Sequence, residues 1–284
     1  MSDDTPYEGL NEDSDDHRWA FGTGFTDPLQ GIDTTVPAGL DAETLATYCL
    51  MLGDDALIYS HRLQQWMTRM PELEEETALA NIALDLLGQA RMLLARAAGI
   101  EGTTEDALAY FREEREYRNV RLVERLDEDF AELVGRLLIF SSWRLALFDK
   151  LAESRDPVLS AIAAKSVKEL TYHRDYAAQW VVRLGDGTEL SRKKMQAALE
   201  TIWPLVDELF QTSLDPSIEP LLDRGEVDIV LDTVFATSTL DRPTLPAGAA
   251  VAGRTGRDGV HTEALGYVLT ELQAIARQYP DAQW

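Results

Sequence analysis

The chain has 284 residues, one cysteine and a formal net charge of −24, from 50 Asp and Glu against 26 Lys and Arg. A field this negative repels nucleic-acid phosphates and anionic membranes, the lone Cys49 rules out an intrachain disulfide, and no uninterrupted apolar run approaches the ~20 residues that span a bilayer. The acidic N-terminus lacks the apolar stretch of a secretory signal, so the expected compartment is the cytoplasm.

The lysine-poor, acid-rich composition, with lysines only at Lys150, Lys165, Lys168, Lys193 and Lys194, resembles that of proteins from salt-loving cells, where salt screens self-repulsion. Residues 1–38 read as an acidic tail, disordered or loosely attached for most of its length. One helical domain is expected over 39–284, and at this size it buries roughly 70–75% of its unfolded surface without staples.

A first core helix is expected from Asp41 to Met70, with Leu45, Tyr48, Leu52, Tyr59, Leu63 and Trp66 on its apolar face and Asp54 and Asp55 interrupting it. The second spans Pro71 to Gly99: Leu79, Ile82, Leu86 and Leu93 recur at helical spacing, Pro71 suits a first turn, and Gly99 suits an end. The short break at Pro71 makes these two helices antiparallel. A charged, partly helical link follows over 105–125. The third core helix runs from Asp129 to Glu153, with Ser141 on its stripe. The fourth runs from Pro157 to about Leu184 behind the Asp156-Pro157 cap, and its stripe contains Leu170 and His173. A fifth helix, Glu189 to about Gln211, should kink at Pro204. A looser region with short helices near 218–235, a Gly/Pro/Arg-rich loop over 241–260, and a last helix from Thr262 to Gln278 complete an all-α chain.

The chemistry of such a bundle is decided on the second helix. Carboxylate-bridged di-iron bundles need about four inward carboxylates and two imidazoles, two of the helices contributing Glu-x-x-His. Here the corresponding spacing reads Leu86-Leu87-Gly88-Gln89 on the second helix and Leu170 with His173 on the fourth. The third offers Ser141, and the first offers Asp55 or Asp54. Glu169 and His173, four apart, are left as a pair that could chelate one ion with Asp55 or Asp85 as a third ligand. In the plainer alternative Glu169 is surface-facing or paired with an Arg or Lys, His173 is a hydrogen-bonded core residue, and Gln89 and Asp85 belong to a polar network replacing a lost metal. The segments Asp85–Gln89 and Glu169–His173 also carry like residues at matching places, the pseudo-twofold relation of ferritin-like bundles.

Other candidates reduce to structure. Cys49 sits among apolar residues and reads as a buried thiol. Residues 253–259 hold two arginines and several backbone amides that might hold a phosphate, but no strand precedes them and no P-loop is present, so a flexible or interface-docked loop is the better reading. Lys193 and Lys194 read as solvated. Trp66, Trp143, Trp180 and Trp203 read as core or interface. His17, His61, His173 and His261 are too few and scattered for acid–base machinery. No catalytic, cofactor-binding or metal-binding residue is assigned.

Five segments then carry a resemblance. TALANIALDLLGQAR (Thr77–Arg91), ESRDP (Glu153–Pro157), Ala163–His173, RLGDGT (Arg183–Thr188) and RTGRDGVHTEALG (Arg254–Gly266), with the closing Gln283-Trp284, resemble the structural C subunit family of the ring 1,2-phenylacetyl-CoA epoxidase over about 41–284. The resemblance implies a ferritin-like four-helix bundle with additional C-terminal helices. It implies an iron-free subunit that pairs with a di-iron A subunit in phenylacetate catabolism. It also implies small accessory subunits, and a reductase carrying FAD and iron–sulfur that draws on NADPH. The expected assembly is a hetero-oligomer, with a homodimer possible for the isolated chain. The docking face is expected on the first two helices and the Arg254–Gly266 loop. Two competing readings remain: a di-iron oxygenase in its own right, and a free-standing acyl-CoA-binding module.

Overall fold

The computed structural model describes residues 31–212, 214–244 and 253–282. Most of the expected tail, His17, the 245–252 part of the expected loop and the closing Gln283-Trp284 lie outside the described residues.

Eight α-helices form among the described residues, and no strand. Helix α1 (Ala42–Gln64) starts where the Asp41 carboxylate accepts the Thr44 amide at 2.8 Å, satisfying one of the donors a helix start leaves unpaired. It ends six residues before the expected Met70, and a single 3₁₀ turn, Met67–Arg69, carries the chain on. Helix α2 (Leu73–Glu101) begins two residues after Pro71 and runs through Gly99 to stop on Gly102, whose φ of 74° takes the left-handed conformation. Gly99 retains helical geometry, so the expected end was two residues short; Gly102 is where the chain turns.

After α3 (Glu105–Tyr110) and an irregular link come α4 (Phe130–Leu151) and α5 (Pro157–Gly185). Asp129 caps α4, and the Asp156-Pro157 pair starts α5 as the sequence indicates. Helix α6 (Glu189–Ile202) gives way at Pro204 to a 3₁₀ segment, Trp203–Phe210, because proline removes the amide that the α-helical ladder needs. Helices α7 (Arg224–Thr237) and α8 (Glu263–Gln278) follow.

Four helices make the bundle. Ser60 on α1 donates to the Ala83 carbonyl on α2, while Gly53 on α1 sits against Leu93 and Leu94, so the two run antiparallel. Phe130 at the start of α4 meets Trp180 near the end of α5, and Ser160 reaches back to Ala152, so these two are antiparallel as well. Across the bundle, Tyr59 packs on Phe140 and Leu52 accepts from Arg144, while Asp85 meets His173 and Gln89 meets Glu169. Hence α1 opposes α4 and α2 opposes α5. Two short-linked hairpins are joined by one long crossover over 102–129, the connectivity of ferritin-like bundles.

The interior is apolar but contains buried ion pairs. Arg96 meets Asp156 at 2.5 Å, Arg257 meets Asp55 at 2.7 Å and Arg121 meets Glu208 at 3.2 Å; Arg112–Asp54 and Arg136–Asp127 are further pairs. Each acid is enclosed, so its cation is needed to keep it charged out of water. Residues 31–38, expected with the tail, are attached: Ile32 and Val36 pack on the core, and the Thr34 carbonyl accepts from the buried Arg96. Most of α1 is enclosed by this same chain, so it cannot supply the broad docking face expected of it.

Candidate functional site

The place to look for chemistry is the bundle centre, where α2 and α5 face each other. Residues four apart share a helix face, so Asp85 and Gln89 project together from α2, and Glu169 and His173 from α5. Because the helices are antiparallel, the pairs interlock. His173 Nε2 lies 3.0 Å from Asp85 Oδ2, and Gln89 donates its amide to Glu169 Oε2 at 3.0 Å. The matching segments noted in the sequence are thus partners in space.

A third helix supplies the residue that sequence reasoning missed. Arg144 on α4 donates Nε–H to Gln89 Oε1 at 3.0 Å and Nη2–H to the Leu52 carbonyl at 3.2 Å. Its guanidinium is wholly buried and stacks on Phe148 with 4.3 Å to the ring centroid. Burial pushes its pKa down to about 10, against the pull of Asp55. A chain of polar contacts therefore leads from Arg144 through Gln89 to Glu169 and on to Lys165, 3.5 Å away at the edge of the bundle. An amide suits the middle position, since it accepts from a cation on one side and donates to an anion on the other.

The expected first- and third-helix candidates are engaged elsewhere. Asp55 is fully buried and accepts two bonds from Arg257 and one from the Val120 amide. Burial raises its pKa and Arg257 pulls it back. Asp54 is held by Arg112 and the Arg118 amide. Ser141 bonds back to the Leu137 carbonyl of its own helix at 2.5 Å. Leu86 and Leu170 are completely buried among apolar neighbours.

A pair of irons does not fit these side chains. His173 Nδ1 is buried and has no hydrogen-bond partner among the described residues, so one imidazole nitrogen is free. One helical turn away, however, the polar centre is taken by a guanidinium, an amide and the carboxylate that the amide holds. No group of three or more His, Cys, Asp or Glu among the described residues is arranged to hold a metal ion. The single-ion set of Glu169 and His173 with Asp55 or Asp85 is likewise not assembled: Glu169 is paired with Gln89 and Lys165, and Asp55 with Arg257.

The remaining candidates fall into structural roles. The thiol of Cys49 is buried, and burial pushes its pKa up to about 12. Trp66, Trp143 and Trp203 are buried, and Trp180 donates to Glu75. Lys193 is exposed, and Lys194 reaches Asp129 at 3.2 Å. His61 lies 3.4 Å from Glu271, and His261 bridges Glu124 and the Tyr117 carbonyl. Within the described part of the Gly/Arg loop Arg257 is docked, since it also donates to the Met51 and Arg118 carbonyls, while Arg254 is exposed. A hollow of about 440 Å³ lies between the C-terminal end of α2 and α3, against Glu101, Phe111 and Arg112, away from the bundle centre.

The chain matches, over residues 32–284, the family described as phenylacetic acid catabolic protein. It is similar to the C subunit of the 1,2-phenylacetyl-CoA epoxidase of Escherichia coli (strain K12), 41% identical over 259 residues that cover 84% of this chain and 99% of that protein.

Proposed function

The chain belongs to the phenylacetic acid catabolic protein family, and from that premise we propose that it is a subunit of a phenylacetyl-CoA epoxidase and acts there as an iron-free structural partner. Its work is to pack against a sister subunit that carries the di-iron centre, stabilising it and shaping its substrate pocket. Flavin, iron–sulfur and NADPH belong to a reductase component of the same system. The similarity to an epoxidase subunit along nearly all of that relative's length supports the assignment to the complex. The observation that carries the structural role is the Arg144–Gln89–Glu169 chain at the bundle centre. A buried positive charge at this point opposes the binding of further cations.

Co-expression with the catalytic subunit, followed by metal analysis of each purified chain, tests this reading. The expected result is iron in the partner and none in this chain, with partner solubility and activity lost when this chain is omitted. Two irons per copy of this chain, or a partner that stays soluble, iron-loaded and active alone, would overturn it.

A further inference from the structure

The start of α8 is fastened by a buried histidine whose two ring nitrogens both face acceptors. His261 Nε2 lies 3.0 Å from the Tyr117 carbonyl, and Nδ1 lies 2.7 Å from Glu124 Oε1. The imidazole is 1% exposed and the carboxylate is fully enclosed. A neutral ring offers one N–H and one lone pair. The carbonyl has no proton to give, so Nε2 must carry one. Nδ1 and Oε1 would then set lone pair against lone pair unless a second proton lies between them.

The other partners of Glu124 place that proton on the ring. Oε1 also accepts the Asn119 side-chain amide at 2.9 Å, and Oε2 accepts the Thr262 amide at 2.7 Å and its hydroxyl at 2.6 Å. Donors on both oxygens favour the ionised carboxylate, and an ionised Glu124 leaves His261 as an imidazolium that donates from both nitrogens.

The remaining charges around this point are engaged elsewhere. Arg62 on α1 opposes a further positive charge, but it donates to the Glu124 and Ala264 carbonyls at 2.8 and 2.9 Å. On the crossover, Arg118 donates to the Arg115 and Tyr117 carbonyls, and Arg112 is paired with Asp54. On α4, Arg136 is paired with Asp127. In the loop, Arg257 is paired with Asp55 and Asp258 accepts from Thr255. Glu208 of the 3₁₀ segment is held by Arg121, Glu263 on α8 accepts from Tyr267, and Glu271 accepts from Gln65.

We infer that His261 and Glu124 form a proton-dependent latch, a buried imidazolium–carboxylate pair that holds α8 on the crossover and releases it when the proton leaves. The pair joins Glu124 of the crossover to His261 and Thr262, the two residues that lead into α8. Deprotonation would leave the Glu124 charge buried without its cation, the costly state of a buried pair. A histidine in an opened chain loses its proton near pH ~6.5, so above that pH closing α8 takes up a proton. The latch contributes in full below that pH, and its contribution falls as pH rises above it. It belongs to this chain alone and does not depend on the proposed function.

Two measurements on the full chain test it. Nitrogen-15 NMR of the histidine rings at pH 8, with His261→Gln identifying the signal, reads the proton. Amide exchange of α8, corrected for the intrinsic rise of exchange with pH, reads the opening. Wild type is expected to show a doubly protonated His261, and α8 opening that increases about 10-fold between pH 7 and pH 8, one proton leaving per opening. Glu124→Gln supplies an amide that can donate to Nδ1, so it is expected to give a singly protonated ring and α8 opening that is unchanged over the same interval. A singly protonated ring in wild type at pH 8 overturns the latch whether or not the variants fold. So does a doubly protonated wild-type ring with α8 opening independent of pH, and so does a ring that keeps both protons in Glu124→Gln.

Discussion

Arg257→Met isolates the contact that fastens the C-terminal loop to the bundle. Arg257 donates to Asp55 Oδ1 at 3.0 Å and Oδ2 at 2.7 Å, and to the Met51 and Arg118 carbonyls at 2.9 and 2.8 Å. Burial opposes its charge, but Asp55 more than compensates and its pKa is raised. Methionine fills similar volume and provides none of these donors. Asp55, with 0% exposure, would retain the Val120 amide at 2.8 Å and the field of Arg144. Removing one partner of a buried pair typically costs about 3–5 kcal/mol, a large part of the ~5–15 kcal/mol that holds a domain folded.

The pH dependence gives a second handle on the same contact. Burial already raises Asp55 above its ordinary value of 3.8, and losing Arg257 raises it further. A folded-state carboxyl pKa above the unfolded value means the folded state takes up the proton first. Its stabilising contribution is complete below the unfolded pKa and is lost as pH rises through the folded one. The deficit of Arg257→Met against wild type is therefore expected to be largest near pH 8 and to shrink toward pH 5. Guanidinium denaturation of Arg257→Met, Asp55→Asn and the double variant at both pH values measures it, with a coupling of at least ~1 kcal/mol expected between the two sites. A deficit under ~1 kcal/mol at pH 8, or one that does not change with pH, would refute the reasoning.

Three further outcomes are expected. Gln89→Leu removes the acceptor of Arg144 Nε–H and leaves a buried charge short of a partner; a loss of about 1–3 kcal/mol is expected, read as a lower denaturation midpoint, and an unchanged midpoint would mean the amide is dispensable. Gly256→Ala places a Cβ 2.1 Å from the Asn119 carbonyl oxygen, a backbone atom that cannot yield. It is expected to destabilise by at least ~1–3 kcal/mol, detectable as a reduced Tm and faster proteolysis in the loop, and a wild-type Tm would contradict the packing described. Raising KCl from 0.1 to 1 M is expected to raise the Tm by screening the −24 charge, whereas a Tm insensitive to salt would show that self-repulsion does not limit stability.

The amino-acid sequence by itself determined the helical class and the bounds of the four bundle helices to within two residues, except at the end of α1, which stops six residues early. Apolar spacing along α2 and α5, the Asp156-Pro157 start and the break at Pro204 are local signals, each expressed within a turn or two of chain. It also determined what Leu86, Gln89 and Leu170 are unable to do, since those side chains carry no carboxylate or imidazole. Only the tertiary structure decided what stands at the bundle centre. Arg144 lies 55 residues from Gln89, and Arg257 lies 202 from Asp55, and in a linear reading an arginine on a helix looks like a solvent-facing residue. Helix α4 is buried on nearly every side, so it has no polar face against which an inward cation would stand out. Ion pairs between distant segments depend on how helices pack, and periodicity within one helix contains no information about its neighbour.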